Sequence, residues 1–309
     1  MVFWLQIHYG KLVRLVGSSQ NLSALDGWHG NLQLAYARQA ESTQLIHEQV
    51  QAPLKVQRPF YPEGPEVCHS AILHTAGGIV GGDRLSLQAE LQPNAHALLT
   101  TVAATKIYRS NGLEATQTVQ LDVAPGACLE WLPLETIVFN QAIYRQDIRV
   151  ELAPGGLWMG WEMIRFGRSA RGERFLDGNW RSHTEVWQQG TPLWIDRQWV
   201  PGSEAVFHSP HGLGGCPIVG SFAFVGRSVD PELVEKARHL WQGCSGEIGA
   251  TRLMSGLLCR YRGSSTIEAR QWLIAVWHLV RTHYLHRTAC IPRLWQLESR
   301  YSHESYPPD

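Results

Sequence analysis

From about Gly30 to Val225, hydrophobic and polar positions alternate with a period of two. Leu85, Leu87, Ala89 and Leu91 interleave with Ser86, Gln88 and Glu90. Val119, Leu121 and Val123 interleave with Thr118, Gln120 and Asp122, and Ile148, Val150 and Leu152 with Arg149 and Glu151. Alternation of this kind predicts strands with one buried face. Turn chemistry separates the runs at Gly81-Gly82-Asp83, Gln92-Pro93-Asn94, Asn111-Gly112, Ala124-Pro125-Gly126, Pro154-Gly155-Gly156, Asp177-Gly178-Asn179 and Gly190-Thr191-Pro192. Glycine supplies positive φ at such corners and proline presets φ near −65°.

A faint repeat runs through this region. Strand, proline, small residue and a second apolar run recur at Pro93, Pro125 and Pro154, with offsets of 32 and 29 residues. Stacked β-layers of a solenoid would give such offsets. Three ordinary hairpins with Pro-Gly turns would give them equally well.

Late in the chain the period changes from two to that of a helix. Asp230 and Pro231 suit an N-cap and a first helical position, followed by an apolar stripe of Leu233, Val234, Ala237, Leu240 and Trp241, with Gly243 able to end it. Ser265-Thr266-Ile267-Glu268 has the pattern of a capping box. It opens a second helix, with Trp272, Val276, Leu279 and Val280 on its buried face, that runs to about Arg287 before Pro292. Helices are therefore predicted near 231–242 and 266–287, with strands at Thr251–Met254 and Leu257–Tyr261 between them. The expected fold class is mainly β, with two helices in the C-terminal third.

The 309 residues carry 27 basic and 27 acidic side chains, so the formal net charge is zero. That balance, without a Lys/Arg block, argues against general nucleic-acid binding, which rests on phosphate neutralisation. It also removes the repulsion that keeps proteins apart, so partners are expected. No run reaches 18 apolar residues, and Met1 to Gly17 is interrupted by His8, Lys11 and Arg14, so neither a membrane span nor a secretion signal is read. Cys68, Cys128, Cys216, Cys244, Cys259 and Cys290 are scattered without a C-x-x-C pair, the pattern of reduced thiols in a cytoplasmic protein.

Candidate chemistry is sparse. Gly77 to Asp83 is glycine-dense but lacks the Gly-Lys-Ser/Thr of a phosphate loop and does not enter a helix, so a tight turn with close backbone approach is the simpler account. Thr100, Thr101 and Thr105 stand near Lys106 and Arg109, which suits a polar passage, an anion site or a half-exposed strand edge. Glu130, Glu135, Glu162 and Glu173 lie in apolar or arginine-rich surroundings, where a carboxylate is either functional or salt-bridged to a residue such as Arg165, Arg168, Arg171 or Arg174. His278, His283 and His286 on the second helix, and Cys68-His69 with His74, lack diagnostic metal spacing. No G-x-S-x-G and no H-E-x-x-H occurs.

Several segments, in order, resemble the urease accessory protein UreD (UreH) family. They are Pro53–Phe60, His74–Asp83, Thr100–Arg109, Leu129–Val138, Gly167–Glu173 and Ile291–Trp295. The match covers about Gly27 to Trp295; His74-Thr75-Ala76 departs from a stretch that often contains His-Pro, which affects the turn more than the role. The resemblance implies one UreD-like β-rich domain over 27–296, an unmatched extension over 1–26 and a tail over 297–309. It implies a stacked-strand, solenoid-like body that is not an enzyme. It implies binding to apo-urease subunits, UreF and, through UreF, UreG, and it allows a homodimer within that complex. It implies no tightly bound cofactor, but nickel in transit to the urease centre through an internal passage. Carried over to this chain, Asp83, Thr101, Thr105, Glu135 and Glu173 are the expected passage residues, with Lys106, Arg109 and Arg168 as supporting polar groups. The competing class is a carbohydrate-active β-solenoid enzyme that uses two of Asp83, Glu135, Glu162 and Glu173 as an acid/base pair, with tryptophans lining an open groove.

Overall fold

The computed structural model describes residues 27–168, 171–242 and 245–295. The 1–26 extension and the 297–309 tail lie outside the described residues, as does Gly243, the expected helix stop.

Two sheets face each other. The first has seven strands. In spatial order they are β14 (Thr191–Pro201), β13 (Asn179–Gln188), β11 (Ile143–Leu152), β8 (Ala115–Val123), β5 (Arg84–Leu91), β1 (His29–Gln39) and β2 (Ser42–Gln51). The second runs β16 (Glu247–Leu253), β17 (Gly256–Gly263), β15 (Ile218–Val225), β12 (Leu157–Phe166), β9 (Cys128–Trp131), β6 (His96–Thr101), β4 (Val67–His74) and β3 (Leu54–Val56). Two short strands, β7 (Thr105–Ile107) and β10 (Thr136–Val138), pair with each other, and β10 also pairs with β12.

The repeat at Pro93, Pro125 and Pro154 resolves in favour of the solenoid. Strands β1, β5, β8, β11 and β13 are parallel neighbours in one sheet, and β4, β6, β9 and β12 are parallel neighbours in the other. Each proline turn therefore carries the chain from one sheet to the other rather than closing a hairpin. Successive turns stack: the Asn94 amide donates to the Pro125 carbonyl at 3.2 Å and the Gly126 amide to the Gly155 carbonyl at 3.2 Å. Antiparallel strands β2 and β14 flank the parallel part of the first sheet, and β15, β17 and β16 extend the second.

The alternation read from the sequence holds. Leu85, Leu87, Ala89 and Leu91, with Val119, Leu121, Val123, Ile148, Val150 and Leu152, are buried in one core between the sheets. A second core lies on the outer face of the ten-stranded sheet, beneath the helices. Helix α2 is Pro231–His239, shorter than the predicted 231–242; Asp230 holds its N-cap position without a side-chain bond. Helix α3 is Thr266–Val280, and the Ser265 hydroxyl accepts from the Glu268 amide as the capping box requires. The predicted extension to about Arg287 is met by a widened π-helical turn over Arg281–Leu285, which ends at His286 with φ 53°. A short helix α1, Glu204–His208, was not foreshadowed by any apolar period.

Ion pairs and polar bonds fasten α3 to the sheet. Trp277 Nε1 donates to Glu130, Arg270 pairs with Glu135, and Arg281 Nη2 donates to Glu63 Oε2 at 2.6 Å. His69 Nε2 lies 2.7 Å from the other Glu63 oxygen. Burial alone would raise the Glu63 carboxyl, but the bonds from His69 and Arg281 outweigh it and hold it down at about 2.

Candidate functional site

A cavity of about 330 Å³ opens between the sheets. The exposed Gly77, Ala103 and Lys106 mark its mouth, and His74, Gly78, Ile79 and the rest of the run from Thr101 to Thr105 line it close by. The glycines are required by the backbone here. Gly77 has φ +78°, and a side chain on Gly78 would collide with the Lys106 carbonyl and the Tyr108 ring, so the tight-turn account of this segment is correct.

Deeper in, polar side chains interrupt an otherwise apolar interior. On the seven-stranded sheet, Gln117, Gln146 and Ser182 occupy matching positions on β8, β11 and β13. They stand on the inward face, in the same alternation as Val119, Ile148 and Val186. Opposite them, Glu162 of β12 projects from the other sheet. Gln146 Nε2 and Ser182 Oγ both donate to Glu162 Oε1, the latter at 2.8 Å, and Tyr144 donates to Gln117 at 3.1 Å. Gln117, Gln146 and Glu162 line the cavity together with Ser86, Thr101, Thr105 and Thr136. Beyond them Asp196 of β14 and Arg260 of β17 pair at 2.6 Å and tie the two sheets at their far ends.

Burial shifts two titratable groups on this lining. Desolvation pushes the Glu162 carboxyl up to about 7, helped by the nearby Asp196 charge and opposed by the Ser182 hydrogen bond. Desolvation lowers His74, and both of its ring nitrogens are buried without a hydrogen-bond partner. A neutral imidazole with open nitrogens is the form that ligates metal ions. The cavity can therefore offer a cation one imidazole, one carboxylate and a wall of hydroxyl and amide oxygens.

The expected passage residues divide. Thr101 and Thr105 line the cavity, as does Lys106 at its mouth. Asp83, Glu135 and Glu173 are absent from its lining and are engaged elsewhere. Asp83 accepts from the Trp28 and Val80 amides at 2.8 and 2.9 Å and so fixes the turn behind the mouth. Glu135 pairs with Arg270 of α3, and its own carbonyl accepts from the Thr105 amide at 2.9 Å. Glu173 pairs with Arg168 and accepts from the Asn140 amide. Arg109 is exposed. Cys68, His69 and His74 do not converge: Cys68 faces the core between the sheets, whereas His69 bonds Glu63. The helical histidines separate as well, with His278 accepting from the Ala289 amide and His283 beside Asp230.

His74, Gln117, Gln146 and Glu162 line the cavity and Ser182 bonds Glu162 beside it, yet none of the five is among the passage residues expected from sequence. The signal was present: carrying the alternation one step back from Val119 and Ile148 puts Gln117 and Gln146 on the core face.

Two stacked sheets wound as coils around a mainly apolar cavity crossed by a polar row define a β-solenoid protein whose candidate site is an internal chamber rather than an open groove. Comparison with known proteins narrows this to one family. The sequence model of the UreD urease accessory protein family matches residues 29–296. A urease accessory protein UreD from Nostoc punctiforme is 67% identical over 277 residues, covering 90% of this chain and 99% of that protein. Those from Acaryochloris marina and Pseudomonas fluorescens are 60% and 42% identical, over 89% and 87% of this chain and 98% and 95% of their own lengths. The chain belongs to the UreD urease accessory protein family.

Proposed function

We propose that this chain acts in the maturation of urease and that its internal cavity is a stretch of a nickel passage leading toward the urease centre. The observation that carries this reading is the polar row of Gln117, Gln146 and Ser182 meeting Glu162 inside an otherwise apolar solenoid. Polar side chains in such an interior cost free energy unless they are mutually bonded or used. Oxygen donors bind nickel less firmly than thiolates do, which suits an ion that must be released again. On this reading Thr101, Thr105 and His74 receive the ion near the mouth and Glu162 draws it inward. Asp83 and Glu135 hold the mouth in shape from behind, and Glu173 with Arg168 braces the surface.

The partners proposed are apo-urease, UreF and, through UreF, UreG, and the nickel in the cavity is in transit rather than resident. Exposed apolar side chains on both edges of the seven-stranded sheet suit such contacts: Ile46 and Val50 on β2, Ile195 and Trp199 on β14. A cytoplasmic location is part of the proposal; no helix among the described residues is long and apolar enough to cross a membrane.

The carbohydrate-enzyme alternative finds little support. Glu162 is the single carboxylate among the cavity's lining residues, and a glycosidase needs two. Most of the described tryptophans are buried or half-buried; Trp28 and Trp199 are exposed.

The test is co-expression of Glu162→Gln and Thr105→Val variants with apo-urease and the other accessory proteins. Pull-down yield, melting temperature and nickel per urease site are measured together. Normal yield with reduced nickel supports the passage. Normal nickel loading in both variants overturns it.

A further inference from the structure

We propose that His96, Cys128 and Glu130 form a binding site for one divalent transition-metal ion of the zinc type, on the helix-facing side of the ten-stranded sheet and separate from the cavity. Among the described residues this is the one group of three histidine, cysteine or carboxylate side chains whose donor atoms all lie within 4.8 Å of one another.

The sheet register brings the three together. His96 and Cys128 are directly opposed partners in the parallel ladder of β6 and β9. Glu130 is two residues along β9 from Cys128, and side chains two apart share a face. That face is the outer one: Leu129 and Trp131 point into the core between the sheets, whereas Cys128 lies in the core beneath the helices. The cluster therefore lies across the sheet from the polar cavity and is independent of the passage reading.

The donor set is imidazole nitrogen, thiolate sulfur and carboxylate oxygen, which zinc accepts in tetrahedral sites. His96 Nε2 and Glu130 Oε1 now share a hydrogen bond of 2.6 Å. Bonds to zinc of about 2.0–2.3 Å would part them by roughly 1 Å. The His96 side chain keeps 14% of its surface exposed while that of Glu130 keeps none, so an ion and a fourth, water ligand can enter from the His96 side.

Charge also fits. Arg281 Nε stands 3.6 Å from Glu130 Oε1, a neighbour that would repel a lone cation, but Arg281 is itself paired with Glu63. A +2 ion, the Cys128 thiolate, the Glu130 and Glu63 carboxylates and the Arg281 guanidinium sum to zero. A buried cluster that closes its charge avoids the desolvation cost of an unpaired ion. Trp277 Nε1 donates to the other Glu130 oxygen and fixes the carboxylate, as outer bonds do around metal ligands. The ion would clasp β6 to β9 directly under α3.

The full-length chain, stripped with chelator, is titrated with cobalt(II) chloride as a spectroscopic stand-in for zinc. One equivalent is expected to give a thiolate-to-cobalt charge-transfer band in the near ultraviolet, displaced by zinc chloride. The band is expected to vanish in Cys128→Ala and Cys128→Ser and to persist in Cys216→Ala. His96→Gln, on the open side of the cluster, should weaken cobalt binding by at least about tenfold, the scale seen even for outer-shell losses. Absence of the band in folded wild-type protein overturns the proposal. So does its survival at unchanged affinity in either Cys128 variant, or in His96→Gln should the Cys128 variants fail to fold.

Discussion

The Ser182 hydroxyl of β13 donates to the Glu162 carboxylate of β12 at 2.8 Å, and that bond crosses from one sheet of the solenoid to the other. It joins the inner wall of the seven-stranded sheet to the one acidic group in the cavity. Glu162 is thus held in place from the opposite sheet by Ser182 and Gln146.

Burial raises the Glu162 carboxyl to about 7 from its ordinary 4.5. A raised folded-state value means that the protonated form is favoured by folding, and this advantage is lost as pH climbs from 4.5 through 7. Ionised Glu162 should then cost up to about 3 kcal/mol above neutral pH. Glu162→Gln is expected to melt a few degrees higher than wild type at pH 8 and at nearly the same temperature at pH 5. Thermal melts at the two pH values check this, and a lower melting temperature for the variant at pH 8 would contradict it.

Glu63 predicts the opposite dependence. Its carboxyl is held near 2 by His69 and Arg281, so its contribution is complete above the ordinary value of 4.5 and disappears as pH falls toward 2. Glu63→Ala leaves Arg281 buried without this partner and should cost about 3–5 kcal/mol at neutral pH. The penalty measured by urea denaturation should shrink between pH 4.5 and pH 3.

Glu135 and Glu173 should separate. The Glu135–Arg270 pair is largely buried against α3, with side chains 13% and 15% exposed. In the Glu173–Arg168 pair the arginine is 36% exposed. Glu135→Gln is expected to lower melting temperature, complex yield and nickel loading together, by about 2–4 kcal/mol in stability. Glu173→Gln should cost about 1 kcal/mol or less and leave complex yield near normal. Unchanged stability in Glu135→Gln together with lost nickel loading would return that residue to the passage itself.

Zero net charge and the exposed apolar residues on β2 and β14 predict self-association of the chain when it is made alone. Co-expression with UreF is expected to increase the soluble fraction. Size-exclusion chromatography of the two preparations tests this, and a monodisperse monomer indifferent to UreF would be the contrary result.

The β-body was legible because period two is imposed by the pleat itself, and the Leu85, Val119 and Ile148 runs carried it without interruption. Whether Pro93, Pro125 and Pro154 turned hairpins or coils was not legible. Both need the same turn residues, and the parallel pairing that decides between them is non-local. The sequence marks Thr101 and Thr105, which lie on the cavity wall, and singles out Glu162 by its apolar setting without placing it in the passage. Asp83, Glu135 and Glu173 attract attention for the same chemical reason as Glu162, yet backbone amides satisfy Asp83, Arg270, far away in sequence, satisfies Glu135, and the nearby Arg168 satisfies Glu173. Sequence gives the polarity of a side chain, whereas the partner that neutralises it is supplied by the fold.

The stacking of the coils also sets a ruler. Gln117, Gln146 and Ser182 sit at one height on three neighbouring strands, so the polar row advances by one strand spacing, about 4.8 Å, with each coil. The length of the chamber is thereby counted in whole coils. Inserting or deleting one coil would change the reach by a single step and leave the remaining contacts in register, whereas a one-residue slip in any strand would turn its polar group outward and break the row.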